Sequence, residues 1–184
     1  ENDAAEACEV FTVSTQAEVP REWLEGDDEL RSRLDGLDAT NPPALQLENW
    51  INHEAVDLED LRGNVVVLDF WATWCGPCIR SIPKNNKLQE KYGDQGFVML
   101  GVCHPRGAEQ MADVVADKGI MYPTAADPEG NTIAAYHVNG FPDYYVFDRS
   151  GTLRGADVRN SMVEEVVKML LAEPDPNDAT ASAR

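Results

Sequence analysis

Basic residues are scarce in this chain of 184 residues: 15 Lys and Arg stand against 33 Asp and Glu, a formal net charge of −18. Nucleic acid and anionic membrane surfaces are therefore excluded as general partners, because both repel an acidic protein. The deficit is uneven. Residues 1–61 carry 17 acidic and 3 basic residues, whereas residues 62–184 carry 16 and 12. Solubility or a salty habitat is the preferred account, and a basic partner protein the weaker one. No run of 18 apolar residues occurs, so no transmembrane helix is expected. The opening Glu1-Asn2-Asp3 is polar and acidic, unlike a secretory leader. A targeting segment is expected to have been removed or never present, and a membrane anchor would lie outside this sequence. Cys8 follows Ala7 but lacks the apolar stretch that a lipid-attachment site requires. No internal repeat is visible.

Histidine and cysteine, the usual zinc ligands, are also few. The three histidines, His53, His104 and His137, show no H-x-x-x-H spacing, and Cys8 and Cys103 are isolated. The remaining cysteines are three positions apart in Trp74-Cys75-Gly76-Pro77-Cys78. A CxxC is half of a zinc site, but the second ligand pair is missing. A static structural bridge across two residues is the lesser alternative. The favoured reading is a redox pair, with no metal and no cofactor expected.

The flanks place that pair. Val65 to Trp71 is an apolar run of strand length, and a helix is expected from about Cys75 to Tyr92, ended by Gly93. A helix N-terminus supplies unpaired N–H groups and the positive dipole end, which favour thiolate over thiol. Cys75, nearest that end, is expected to attack; Cys78, one turn in, is expected to resolve the mixed disulfide. Gly76-Pro77 suits a helix start, and Pro77 has no N–H to compete for the sulfur. Asp69 is the lone ionisable residue of its strand. A buried carboxylate tends to hold its proton, and six residues before Cys75 it is placed to relay a proton to or from Cys78. The bland alternative is a strand-end Asp bonded to backbone.

Further along, strands are expected at Leu45–Leu47, Phe97–Val102, Tyr144–Phe147 and Thr152–Ala156, and helices at 107–118, Asn131–Tyr136 and Met162–Leu171. Leu58–Gly63 reads as a turn or brief helix. Pro20 is expected to open a helix at its first position. Leu30, Leu34 and Leu37 form a thin stripe that Trp23 and Leu24 could extend, either a docking helix or a linker. Thr40-Asn41-Pro42-Pro43 marks a boundary. The expected organisation is an acidic extension (1–43), an α/β domain (44–172) and a flexible tail (173–184). A mixed sheet with helices on both faces would put ligand chemistry at the C-terminal strand ends, where Cys75 falls. Gly140-Phe141-Pro142 precedes the Tyr144 strand, where a cis proline would expose backbone to a peptide laid alongside.

Val67 to Cys78, with Trp71 and Trp74, resembles the active-site signature of the thioredoxin superfamily. Pro83 resembles that family's helix-kinking proline. Val138 to Pro142 resembles its cis-proline loop, which implies that Pro142 is cis and that Trp74, Gly76, Pro77, Phe141 and Pro142 meet the substrate. Leu58 to Val67, the stretch from Gly101 to Asp127 and the hairpin at Asp148-Arg149-Ser150-Gly151 are similar to extracytoplasmic oxidoreductases of the TlpA/ResA type. That similarity covers about residues 44–172. It implies a thioredoxin fold with an N-terminal extension and a central insertion, acting on protein disulfides and dithiols. Electrons would come from an upstream reductase. Two departures stand out: Asp69 where many of that subgroup have Asn, and Ile82 where they have Glu. Phe141 is bulkier than the residue usual before the cis proline. The Gly-Pro dipeptide implies a reductant with a potential near about −270 mV.

Alternatives remain: a disulfide oxidase or isomerase, a metal-binding chaperone using the CxxC, or an inactive binding module. A peroxidase of the peroxiredoxin type would need a Pro and Thr pattern before its cysteine that is absent here. For Cys103 the order is burial, then a bridge to Cys8, then a catalytic role.

Overall fold

The computed structural model describes residues 16–175. Cys8 and most of the 173–184 tail lie outside the described residues. The elements in chain order are α1 (Asp28–Leu34), β1 (Glu48–Ile51), β2 (Val65–Trp71), α2 (Gly76–Tyr92), β3 (Phe97–Cys103), α3 (Met111–Lys118), β4 (Thr124–Ala126), α4 (Asn131–Ala135), β5 (Asp143–Phe147), β6 (Leu153–Gly155) and α5 (Val163–Leu171). The six strands form one mixed sheet in the order β1-β4-β3-β2-β5-β6. β2, β3 and β4 are parallel, while β1, β5 and β6 join antiparallel.

Period-two alternation divides the central strands between two cores. Val65, Val67, Trp71, Met99, Cys103, Tyr144 and Val146 pack on one face, with Ile82 and Leu88 of α2 and Val163, Val166, Val167 and Leu170 of α5. Val66, Leu68, Phe70, Leu100, Val102, Tyr145 and Phe147 pack on the other, with Leu30 and Leu34 of α1 and with Tyr136. Burial on both faces explains why β2 reads as an apolar run interrupted only by Asp69.

Two local expectations are corrected. Leu45 and Leu47 alternate, but the strand starts at Glu48. The Gln46 N–H is taken by Thr132 Oγ1 at 2.9 Å, so it is not free for a ladder. Both leucines instead pack as loop residues on the second core. Pro20 does not begin an α-helix; it precedes a single 3₁₀ turn, Arg21–Trp23. The helix starts after Gly26, which holds φ +85°, and is capped by Asp27, whose Oδ1 accepts the Leu30 N–H at 2.9 Å.

The extension is docked onto the sheet. Leu24 bridges Val158, the Glu25 N–H donates to Asp157 O at 2.8 Å, and the Arg159 N–H donates to Trp23 O at 2.9 Å. Trp23 and Leu24 reach the first core and α1 the second, so the segment wraps the β6 edge.

Candidate redox site

The site is built where β2 ends and α2 begins. Cys75 is the N-cap of α2, in extended backbone, and its sulfur accepts the Cys78 N–H at 3.2 Å. Its sulfur thus occupies the position of a capping oxygen, against the helix's unpaired donors. Cys75 and Cys78 are joined as a disulfide, with Cα atoms 5.3 Å apart. Both are largely covered, whereas Gly76 and Pro77 are exposed and Trp74 is 47% exposed. The reactive pair therefore meets solvent across a narrow lip.

The Trp74 side of that lip is held by the loop after β3. Trp74 Nε1 donates to Arg106 O at 2.8 Å, and Thr73 Oγ1 to Gly107 O at 3.1 Å. Gly107 is required here. Its φ is +88°, and a Cβ would stand 2.3 Å from Thr73 Oγ1. The Arg106 guanidinium lies 4.1 Å over the Trp74 ring, a cation–π arrangement. Trp74, His104 and Phe141 meet edge-on, with centroids 5.3 to 6.0 Å apart. His104 Nδ1 accepts the Arg106 N–H at 2.9 Å. The Phe141–Pro142 peptide is cis. Residues 139–143 of the cis-proline loop line a cleft of about 420 Å³ together with Glu25, Gly26 and Leu30 of the extension.

Asp69 lies on the first face of β2 and is 3% exposed. Its Oδ2 accepts two hydrogen bonds, from Tyr122 Oη at 2.9 Å and Asn85 Nδ2 at 3.0 Å, while buried Oδ1 has no partner. Asn85 lies two helical turns beyond Cys78, but side chains on a helix lean toward its N-terminus. Burial pushes the Asp69 carboxyl up to about 6, against the opposing pull of the two donors. Tyr144 Oη is 3.4 Å from Asn85 Nδ2.

Structure thus brings Trp74, Cys75, Gly76, Pro77, Cys78 and Phe141 to one lip, with Pro142 next in the chain. Asp69 sits in the packed interior of the same sheet end. Sequence reasoning missed Asn85 and Tyr122. Asn85 was detectable as a polar residue on the apolar face of α2, in register with Cys78, Ile82, Leu88 and Tyr92; Tyr122 carried no such signal. Cys103 is a buried free thiol at the end of β3, and burial pushes it up to about 12. Such a thiol stays protonated and unreactive. Among the described residues, no group of three or more His, Cys, Asp and Glu is placed to hold a metal ion. None of their helices is long and apolar enough to cross a membrane.

Residues 40–156 match the AhpC/TSA family. Protein DipZ of Mycobacterium tuberculosis is 32% identical over 148 residues, which cover 74% of this chain and 21% of that protein. The thiol-disulfide oxidoreductase ResA of Bacillus anthracis is 30% identical over 63% of this chain and 65% of that protein. The chain therefore spans about a fifth of the one and just under two thirds of the other. Among solved structures, a thiol-disulfide isomerase from Corynebacterium glutamicum superposes with a TM-score of 0.62 at 27% identity, covering 73% of this chain and 99% of that one.

Proposed function

The chain belongs to the AhpC/TSA family, and on that premise we propose that it is a thiol–disulfide oxidoreductase that reduces protein disulfides. The observation that carries this reading is the Cys75–Cys78 disulfide at the N-terminus of α2, with the buried carboxyl of Asp69 at the same end of the sheet.

In the reduced protein the Cys75 thiolate attacks one sulfur of a substrate disulfide. A mixed disulfide forms, and the other substrate sulfur leaves as thiolate. Cys78 then attacks the Cys75 sulfur, releasing the second substrate thiolate and closing the protein's own disulfide. Two electrons have passed from protein to substrate. Asp69, ionised above about pH 6, takes the Cys78 proton as that thiol becomes the nucleophile. It returns the proton when an upstream reductase reopens the pair. Trp74, Gly76, Pro77, Phe141 and Pro142 form the surface on which a substrate strand lies. The exposed motif dipeptide and the cleft beside residues 139–142 support that assignment.

Resemblance to the ResA type supports an extracytoplasmic setting, with thiol-bearing proteins as substrates and a reductase upstream. Any membrane attachment would be supplied outside the described residues.

Equilibrium titration of the Cys75–Cys78 pair against dithiothreitol tests the direction, with Cys75→Ser and Cys78→Ser as controls. The expected potential is near about −270 mV. A potential above about −180 mV would overturn the reductase in favour of an oxidase or isomerase. No two-electron transition at all would overturn the redox reading itself.

A further inference from the structure

Helix α2 departs from the charge of the rest of the molecule. It carries Arg80, Lys84, Lys87 and Lys91 against the single acidic residue Glu90, a net of +3 in a chain of −18. At about 100° per residue these four side chains fall within an arc of about 60°. They form one stripe that starts two residues after Cys78. An ordinary solvated face mixes signs, as α5 does with Glu164, Glu165 and Lys168.

The stripe's cations differ in what they touch. Lys91 is paired with Glu164 at 2.8 Å. Lys84 donates to the Asn160 carbonyl and to Asn160 Oδ1, neutral acceptors that leave its charge intact. Arg80 and Lys87 are exposed, and among the described residues neither is paired with a carboxylate. Arg80 Nη1 lies 3.4 Å from where a side chain on Gly76 would begin, directly beside the motif. Across the lip, the Arg106 guanidinium covers Trp74 at 4.1 Å. One guanidinium thus stands beside the motif's Gly76 and another covers the neighbouring Trp74.

We propose that this stripe, with Arg106, selects disulfides whose cysteines are flanked by acidic residues. The inference rests on the oxidoreductase reading above and adds the substrate's charge. The chain outside α2 has a formal net charge of −21, so an acidic segment is repelled by the molecule at large and attracted where α2 and the lip present cations. Orientation follows, because approach along the stripe brings the segment to Cys75. Large polyanions fit less well: a duplex or an anionic bilayer would also face the acidic remainder, whereas a peptide segment need cover only the stripe.

The test uses the reduced protein and three oxidants: bis(2-hydroxyethyl) disulfide, which is neutral, and two peptide disulfides alike except for Asp or Lys beside the cysteines. Second-order rate constants are measured at low and high ionic strength. The acidic peptide should react faster than the basic one by about tenfold or more at low salt, and the ratio should shrink as salt screens the approach. In Arg80→Glu/Lys87→Glu the ratio should fall to about one or invert. Lys118→Glu, a charge reversal on α3 outside the stripe, should leave the ratio in place. Equal rates for the two peptides in the native sequence, or a ratio that survives the double reversal, would overturn the selection. A protein that fails to reduce even the neutral disulfide would overturn the oxidoreductase reading, and this inference with it.

Discussion

Asp69 gathers two donors on Oδ2 and leaves Oδ1 without a partner, so a proton taken up by this carboxyl resides on Oδ1. Burial is the dominant cause of its rise from 3.8 to about 6. A carboxyl whose folded value is raised favours the folded state when protonated. That contribution is complete below about pH 3.8 and is lost as pH rises through about 6. Above that range, ionised Asp69 costs the fold about 3 kcal/mol on the scale of 1.36 kcal/mol per unit. Asp69→Asn should therefore stabilise the oxidised protein at pH 8 by about 1–3 kcal/mol, with the gain gone near pH 4. Urea denaturation at the two pH values measures this. The same variant should slow reduction of a peptide disulfide at neutral pH and abolish the rate inflection near pH 6; unchanged kinetics would sink the relay. Tyr122→Phe removes a donor to the charged form, so the inflection should move upward by about one pH unit. A pH–rate profile separates that shift from a merely structural loss, which would lower the whole curve without moving it. Sequence showed Asp69 because it interrupts an apolar strand. Its donors are brought to it by packing, from 16 and 53 positions away, so Asn85 showed only as a polar residue on an apolar helix face and Tyr122 not at all.

Elements that carry their own signal were legible: β2, β3 and β5 as apolar runs, α2 through its glycine stop, α5 through its stripe. β1 was misplaced because its start depends on β4, a three-residue strand set by the chain between β3 and β5. The Thr124 side chain of β4 also fills the space over Gly101 of β3. A Cβ on Gly101 would stand 1.9 Å from Thr124 Oγ1 and 3.2 Å from Trp71 Nε1. Gly101 is in register with both Asp69 and Thr124, so this contact lies on a row that crosses three strands at the redox end. Gly101→Ala should destabilise the protein by about 1–3 kcal/mol through overpacking. Thr124→Ala alone should cost less, because its buried hydroxyl has no partner. The double variant should recover part of the Gly101→Ala loss, and a double-mutant cycle by urea denaturation reads that coupling. Strict additivity would show that the crowding is relieved elsewhere.

At the scale of the whole molecule, the acidic extension is part of the packed body even though the family match begins at residue 40. Leu30 and Leu34 are buried in the second core, and Arg31, 6% exposed, donates to Ala156 O at 2.9 Å beside Asp157 at 3.7 Å. Burial, followed by the charge of Asp157, pushes Asp143 up, while Arg31 pulls it down. The extension thus supplies both apolar cover and the cation that offsets two carboxyls next to the cis-proline loop. From sequence, a three-leucine stripe interrupted by Gly26-Asp27-Asp28 could not distinguish a tether from a docked segment, because its partners lie on β5 and the turn after β6. A chain begun at residue 40 should lose about 3–6 kcal/mol from the two leucines alone, a large share of the roughly 5–15 kcal/mol of a whole domain. Arg31→Met, which keeps most of the packing volume, should separate the two contributions. It leaves the carboxyls without their cation, so its cost should be larger at high pH than at low pH, because a raised Asp143 holds its proton on the low side. Urea denaturation of both variants at the two pH values is the measurement. If the shortened chain were as stable as the full one, residues 16–39 would be a tether resting on the surface. If Arg31→Met cost the same at both pH values, its role would be packing alone.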